Sequence, residues 1–293
     1  MLLKGTFAYK PFWIKCLIFA FLNLFGLLLW INMVWIFQLN DTQLNSIRLS
    51  QLMFSIFGLV FPALATAFLL KKDESSYLST NTFPKGVLIV FAVLSIFLLQ
   101  PFVNLITVWN EQITFPDALS TLESFLRTME KMAEELTMRF LEGKSISDFL
   151  INLFLLALVP AISEELFFRG ALQRLIGAKI GQHLAIWIVA IIFSAYHMQF
   201  FGFFPRIILG AFLGYLLLWS NSLYLPIIAH FINNATLVTF YFLSSRKIIS
   251  FDIDNIGTDN EWWIGILSIV CVTPILFIMH KKFLSSKKDA ITS

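Results

Sequence analysis

The run FLINLFLLALVPAISEELFFRGAL, from Phe149 to Leu172, is long and oily enough for a membrane helix, yet its second half carries Ser163, Glu164, Glu165 and Arg169. A helix needs about 20 largely apolar residues to cross a bilayer. Insertion scales assign about 2.5–3.5 kcal/mol to each ionised side chain at its centre, so three such groups sum to about 8–10 kcal/mol. The run therefore predicts a span only if the protein supplies partners for them. Glu165 and Arg169 stand four apart with the acid first, the favourable order for an ion pair on one helix face. Glu164 points about 100° away round the helix and lacks that partner. One carboxylate reads as scaffold and the other as available for chemistry.

Outward from this run the chain stays oily. Of its 293 residues, 58% are hydrophobic and 13% charged, and 33 phenylalanines and 8 tryptophans help bring the aromatic share to 16%. Soluble domains average roughly 45–50% apolar, so an ordinary soluble fold is excluded and the bilayer is a partner. A net charge of +3 with no basic face excludes a nucleic-acid partner. Eight apolar runs count as spans: Phe12 to Gln38, Leu52 to Leu70, Val87 to Trp109, Phe149 to Leu172, Leu184 to Met198, Arg206 to Trp219, Leu223 to Leu243 and Trp262 to His280. The fifth and sixth are short. The expected fold is all-α, a polytopic membrane helix bundle with about eight transmembrane helices and one amphipathic helix in the long loop. Three regions follow: 1–148 with N-terminal membrane helices and the loop helix, 149–243 with the core helices that hold the polar residues, and 244–293 with the last membrane helix and a basic tail. The first span carries Lys15, has no small-residue cleavage site and exceeds the about 7–15-residue core of a signal peptide, so it is expected to stay in the mature protein. Cys16 and Cys271 lie in apolar runs and read as small buried hydrophobes.

With an even number of spans both termini share a side. That side holds Lys4, Lys10, Lys71, Lys72, Lys85, Arg174, Lys179, Lys281, Lys282, Lys287 and Lys288, against Arg48, Arg127, Lys131, Arg139, Lys144, Arg206, Arg246 and Lys247 on the other. The excess of Lys and Arg predicts cytoplasmic termini in a multi-pass protein of the cell membrane. In the long polar connection, Leu119, Leu122, Leu126, Met129, Ala133, Leu136 and Phe140 alternate steps of three and four, which makes one helical stripe. That helix is expected to pack on the bundle, lie at the membrane surface, pair with a second copy, or gate a substrate. Ser147 is placed to cap the fourth span's helix.

The remaining polar residues within spans are few. His197 closes the fifth span, and His230 and Asn234 stand four apart in the seventh, on one face. His183 and His280 sit at span ends and read as interfacial. A carboxylate, two imidazoles and a carboxamide from three helices form a set able to hydrolyse an amide. Glu164 is suited to take a proton from water and His197 to hold the same water, while His230 and Asn234 are suited to donate to the oxyanion formed on the attacked carbonyl. No cofactor is required by this chemistry. Zinc is the alternative, with Glu164, His197 and His230 as its ligands.

These residues resemble the motifs of the CPBP family, the CAAX-processing and bacteriocin-processing membrane proteases also called Abi. Glu164, Glu165 and Arg169 match its Glu-Glu-x-x-x-Arg motif, Phe193 and His197 its Phe-x-x-x-His motif, and His230 and Asn234 its His-x-x-x-Asn motif, in that order. The resemblance covers about Phe149 to Leu243. It implies an eight-helix intramembrane endopeptidase acting on CAAX-type or other C-terminal or propeptide segments. It further implies that Glu164 and His197 activate water, that His230 and Asn234 form the oxyanion hole, and that Glu165 and Arg169 support them. A peptide or protein substrate, membrane-associated in some relatives, is expected to arrive from the membrane or its cytoplasmic face. The alternative is a non-enzymatic membrane protein, a bacteriocin-immunity protein or a transporter. Other intramembrane proteases fit poorly: no span contains the aspartate pair of presenilin-like enzymes, and His-Glu-x-x-His is absent.

Overall fold

The computed structural model describes residues 3–40, 42–71, 77–250 and 253–292, with side chains through residue 285. Of the basic residues counted above, Lys72 lies outside the described residues, as do the side chains of Lys287 and Lys288. Among the described residues the chain is helical, without β-strands. Its helices are α1 (Phe12–Ile36), α2 (Leu44–Leu70), α3 (Gly86–Glu111), α4 (Ser120–Leu141), α5 (Ile146–Ile180), α6 (Gln182–Tyr196), α7 (Phe203–Ser220), α8 (Tyr224–Ser245) and α9 (Trp262–Thr292). Seven of them, all except α4 and α6, are long and apolar enough to cross a membrane. At 15 residues α6 spans only about 22 Å, short of the roughly 30 Å hydrocarbon layer. This is an integral membrane protein built as a polytopic helical bundle.

Two prolines shape the helices that matter most. Pro62 in α2 and Pro160 in α5 each follow a turn of wider, π-helical winding, Phe54–Val60 and Leu153–Leu158. Proline has no N–H to give the carbonyl four residues back, and its ring pushes that carbonyl aside. The carbonyls so freed are those of Gly58 and Leu156. Each finds a replacement donor on another helix: Asn23 of α1 gives Nδ2–H to Gly58 at 3.1 Å, and Asn234 of α8 gives Nδ2–H to Leu156 at 3.3 Å. In lipid, an unsatisfied carbonyl costs several kcal/mol, so these asparagines fix which helices sit side by side.

Helix α5 ends at Gly181, whose φ of +88° suits glycine and turns the chain into α6. At its start the N-cap is Ser145, whose Oγ accepts the Asp148 N–H at 3.1 Å, and not Ser147 as the sequence suggested. The register moves because Ser145 is the last extended residue, while Ser147 already lies inside the helix. Cys271 is exposed on the outer face of α9 instead of buried.

The bundle has two dissimilar ends. At one, Gly5 and Phe7 bond to Phe68 and Leu69 of α2, Leu223 bonds to Ser79, and His280 of α9 packs on Trp219. At the other lie α4 and the segment after α6. The stripe on α4 is only partly used. Phe140 is buried with Ile47 and Leu155, whereas Leu119, Leu122 and Leu136 stay exposed. The middle of α4 is held instead by polar ties. The Phe201 N–H donates to Glu130 Oε2 at 3.0 Å, and the Arg127 guanidinium lies 4.2 Å from the Phe201 ring centroid.

Two outcomes follow. In a background lacking Cys16 and Cys271, Lys179→Cys and Lys131→Cys should react with a membrane-impermeant maleimide from opposite sides of the membrane, and labelling from one side would refute the arrangement of the ends. At the start of α4, the Phe115 N–H and then Arg127 hold the Glu123 carboxyl below its usual range. A depressed folded value stabilises above the ordinary carboxylate pKa and is lost as pH falls through the folded value. Hydrogen exchange at the Phe115 amide should therefore quicken on acidification below pH about 4, and not in Glu123→Gln.

Candidate active site

The ion pair between Glu165 and Arg169 lies at the centre of the bundle, both side chains 0% exposed. Arg169 Nη1 donates to Glu165 Oε1 at 2.7 Å, and its Nη2 donates to the Gly210 carbonyl of α7 at 3.0 Å. One turn on, Gln173 Nε2 donates to the Gly214 carbonyl at 3.2 Å. Side chains at Gly210 or Gly214 would collide with Ala190, Ile186 and Gln173, so the bare backbone lets α6 and α5 approach α7. The spacing Gly210-x-x-x-Gly214, a close-packing signal for membrane helices, was legible in the sequence but is absent from the residues singled out above.

From α8, His230 brings Nδ1 to 2.8 Å from Glu165 Oε1. That contact fixes the ring so that Nε2 faces Glu164, 3.9 Å from its Oε2. The gap is too long for a direct hydrogen bond and short enough for a shared water. Glu164 Oε2 is buried and without a partner, while the side chain as a whole keeps 17% exposure.

At the end of α6, His197 points Nδ1 at the carbonyl of Phe193, one turn back, at 2.8 Å. With the proton on Nδ1, Nε2 is free as an acceptor. Phe193 itself organises the group. Arg169 sits 4.5 Å from its centroid, and its ring meets His197 and His230 edge-on at 4.9 and 6.2 Å.

Asn234 lies one turn beyond His230, but its geometry is different. Nδ2 donates to Leu156 and Oδ1 accepts from Asn233 at 3.1 Å, so one N–H of the amide is committed to the carbonyl that Pro160 frees. The structure thus gathers Glu164, Glu165, Arg169, His197 and His230 around Phe193, and gives Asn234 a bond on the adjoining turn of α5. Sequence reasoning placed Arg206 at the start of the sixth span and counted it only as a basic residue. Gln199 clamps it through its carbonyl at 3.0 Å and its Oε1 at 2.6 Å, and Gly202 leaves room for the guanidinium to lie across the backbone.

A cavity of about 490 Å³ leads to His197, walled by Met198 and by Met129, Met132 and Leu136 of α4. It opens at the α4 end of the bundle. Among the described residues no three His, Cys, Asp or Glu side chains converge closely enough to hold a metal ion.

Comparison with known proteins follows this geometry. Residues 146–236 match the family described as type II CAAX prenyl endopeptidase, Rce1-like. The matched region holds all three motifs, and the resemblance drawn from them is met there. An uncharacterized protein of Bacillus subtilis (strain 168), YpbD, is 31% identical over 88 residues, 29% of this chain and 42% of that protein. The chain thus spans less than half the length of that relative. No solved structure matches.

Removing one partner of a buried ion pair leaves the other charge stranded. Arg169→Met should lower unfolding stability by about 3–5 kcal/mol in detergent. Glu164→Gln, altering a group without a partner, should cost much less; equal losses would show that the two acids do not differ in role.

Proposed function

We propose that this protein is an intramembrane endopeptidase in which Glu164 is the general base. The observation that carries the reading is the Glu164 carboxylate, its Oε2 buried without a hydrogen-bond partner, facing His230 Nε2 across 3.9 Å. A water in that gap is within reach of Glu164, and His197 Nε2 accepts its second hydrogen and aligns it.

The water oxygen attacks the peptide carbonyl carbon as its proton passes to Glu164. The carbonyl π electrons move onto oxygen, and His230 donates Nε2–H to that oxyanion while Glu165 holds Nδ1. Asn234 adds its remaining N–H from the adjoining turn. Collapse of the tetrahedral intermediate breaks the C–N bond, and Glu164 returns its proton to the leaving amine. Arg169 and Phe193 set the positions of Glu165 and both rings without touching substrate. No step requires a metal. The substrate class is a peptide or protein segment, CAAX-type or another C-terminal or propeptide stretch, that reaches the site along the methionine-walled cavity.

The test is cleavage of fluorogenic peptides by the purified chain in detergent or nanodiscs. Glu164→Gln and His197→Ala should each lower kcat about 10²–10⁴-fold, the range for a lost acid–base group. His230→Ala should fall by about 10²–10³-fold, as for a lost oxyanion donor. Activity should survive a strong chelator. Equal cleavage by wild type and these variants would overturn the site, and absence of cleavage with intact binding of a candidate toxin or solute would favour an immunity or transport role.

A further inference from the structure

Helix α3 carries polar residues that the chemistry above leaves unused. Gln100, Asn104, Thr107 and Glu111 recur at steps of four, three and four, which puts them on one face, while Val90, Leu94 and Phe97 stand exposed on another. From Gln100 to Glu111 the stripe runs about 16 Å along the axis, roughly half the hydrocarbon thickness. Lipid has no hydrogen bonds to offer such a stripe.

A cavity of about 460 Å³ lies along it, closed on its other sides by Arg206 and Leu209 of α7, Asn233 and Leu237 of α8, and Asp254 of the segment before α9. Its wall is held in place by Asn104, which is 4% exposed. Asn104 Nδ2 donates to the Ile253 and Ile256 carbonyls at 2.9 and 3.0 Å, and its Oδ1 accepts from Gln100 Nε2 at 2.8 Å, so the segment before α9 is tied across α3.

The floor of this cavity comes close to the catalytic cluster from two sides. Asn233 follows His230 by three residues, shares its face of α8 with Leu237, and donates to Asn234 Oδ1 at 3.1 Å. Arg206 stands one turn before Gly210, the residue whose carbonyl receives Arg169. Each is about one helical turn from the network of Glu165, Arg169 and His230.

The methionine-walled cavity at His197 is a different space, and α4 divides the two. Met129, Met132 and Leu136 face His197, whereas Glu130 faces the α3 cavity and accepts the Phe201 N–H at 3.0 Å. An apolar peptide and water partition oppositely between two such walls. Hydrolysis consumes a water at every turnover, and a substrate lying over His197 obstructs the route on its own side.

We infer that the α3 cavity is the water entrance of the site: solvent passes down the polar stripe and past Asn233 to the gap between Glu164 and His230, while substrate occupies the cavity at His197. That the cavity holds water stands by itself; that this water is the one consumed rests on the peptidase reading.

The experiment uses the full chain in nanodiscs with Cys16→Ala and Cys271→Ala, and a cationic methanethiosulfonate, matched in sign to Glu111, Glu130 and Asp254 and too polar to enter lipid. Because the reagent needs an ionised thiol, Gln100→Cys and Thr107→Cys should react at least about ten-fold faster than Phe97→Cys, a turn away on the exposed apolar face. Rates no faster than that of Phe97→Cys overturn the inference. Thr107→Cys is then modified after folding, so misfolding cannot imitate a block. Modification should lower kcat for a fluorogenic peptide several-fold with KM unchanged, and dithiothreitol should restore it, whereas the same modification of Met132→Cys should raise KM. Unchanged kcat after complete modification of Thr107→Cys overturns the water-entrance role. Absence of turnover before modification strikes the peptidase reading and that role with it, while the labelling rates still decide whether the cavity is aqueous.

Discussion

The desolvated contact between Glu165 and Arg169 is the constraint around which the bundle is arranged. Two charges removed from water gain little by themselves, since the desolvation cost rivals the Coulomb attraction. They are tolerable here because each has further bonds: Arg169 to the Gly210 carbonyl and the face of Phe193, Glu165 to His230. Those bonds draw on α6, α7 and α8 at once. Helices that lipid alone would leave free to rotate are thereby locked in azimuth, and the unpaired Glu164 is pointed into the one remaining polar direction.

Proline supplies a second set of locks. By freeing the Gly58 and Leu156 carbonyls, Pro62 and Pro160 create acceptors that only a neighbouring helix can satisfy, and Asn23 and Asn234 answer them. For Asn234 this changes the meaning of a motif residue. Its amide is structural glue on one side and a candidate donor on the other, so its loss would disturb both the α5–α8 contact and any oxyanion bound nearby. A similar economy applies to α4, whose apolar stripe is buried only at Phe140 and otherwise roofs the approach to His197. Polar ties through Glu130 and Arg127 hold this roof where an apolar core would have sealed it.

Much of this was legible in the residue order. The Glu165–Arg169 spacing foretold a pair on one helix face, and the polar residues in otherwise oily runs pointed to Glu164, His197 and His230 before any coordinates. The cap at Ser145, the exposure of Cys271 and the clamp on Arg206 were not. Each depends on what lies across a helix–helix or helix–loop contact, and periodicity within one helix carries no information about the partner on the far side.

Sequence by itself determined the solvent and the local geometry: composition demanded lipid, run lengths gave the helices, and intervals of four placed pairs of side chains on common faces. Only the tertiary structure decided that His230 meets Glu165 through Nδ1 and so turns Nε2 toward Glu164, and that the cavity at His197 opens on the α4 end. The reason is physical. Spacing along a helix is fixed by covalent geometry and 3.6 residues per turn, whereas the rotation of one helix against another is chosen by carbonyls, glycines and charges that lie far apart in the chain.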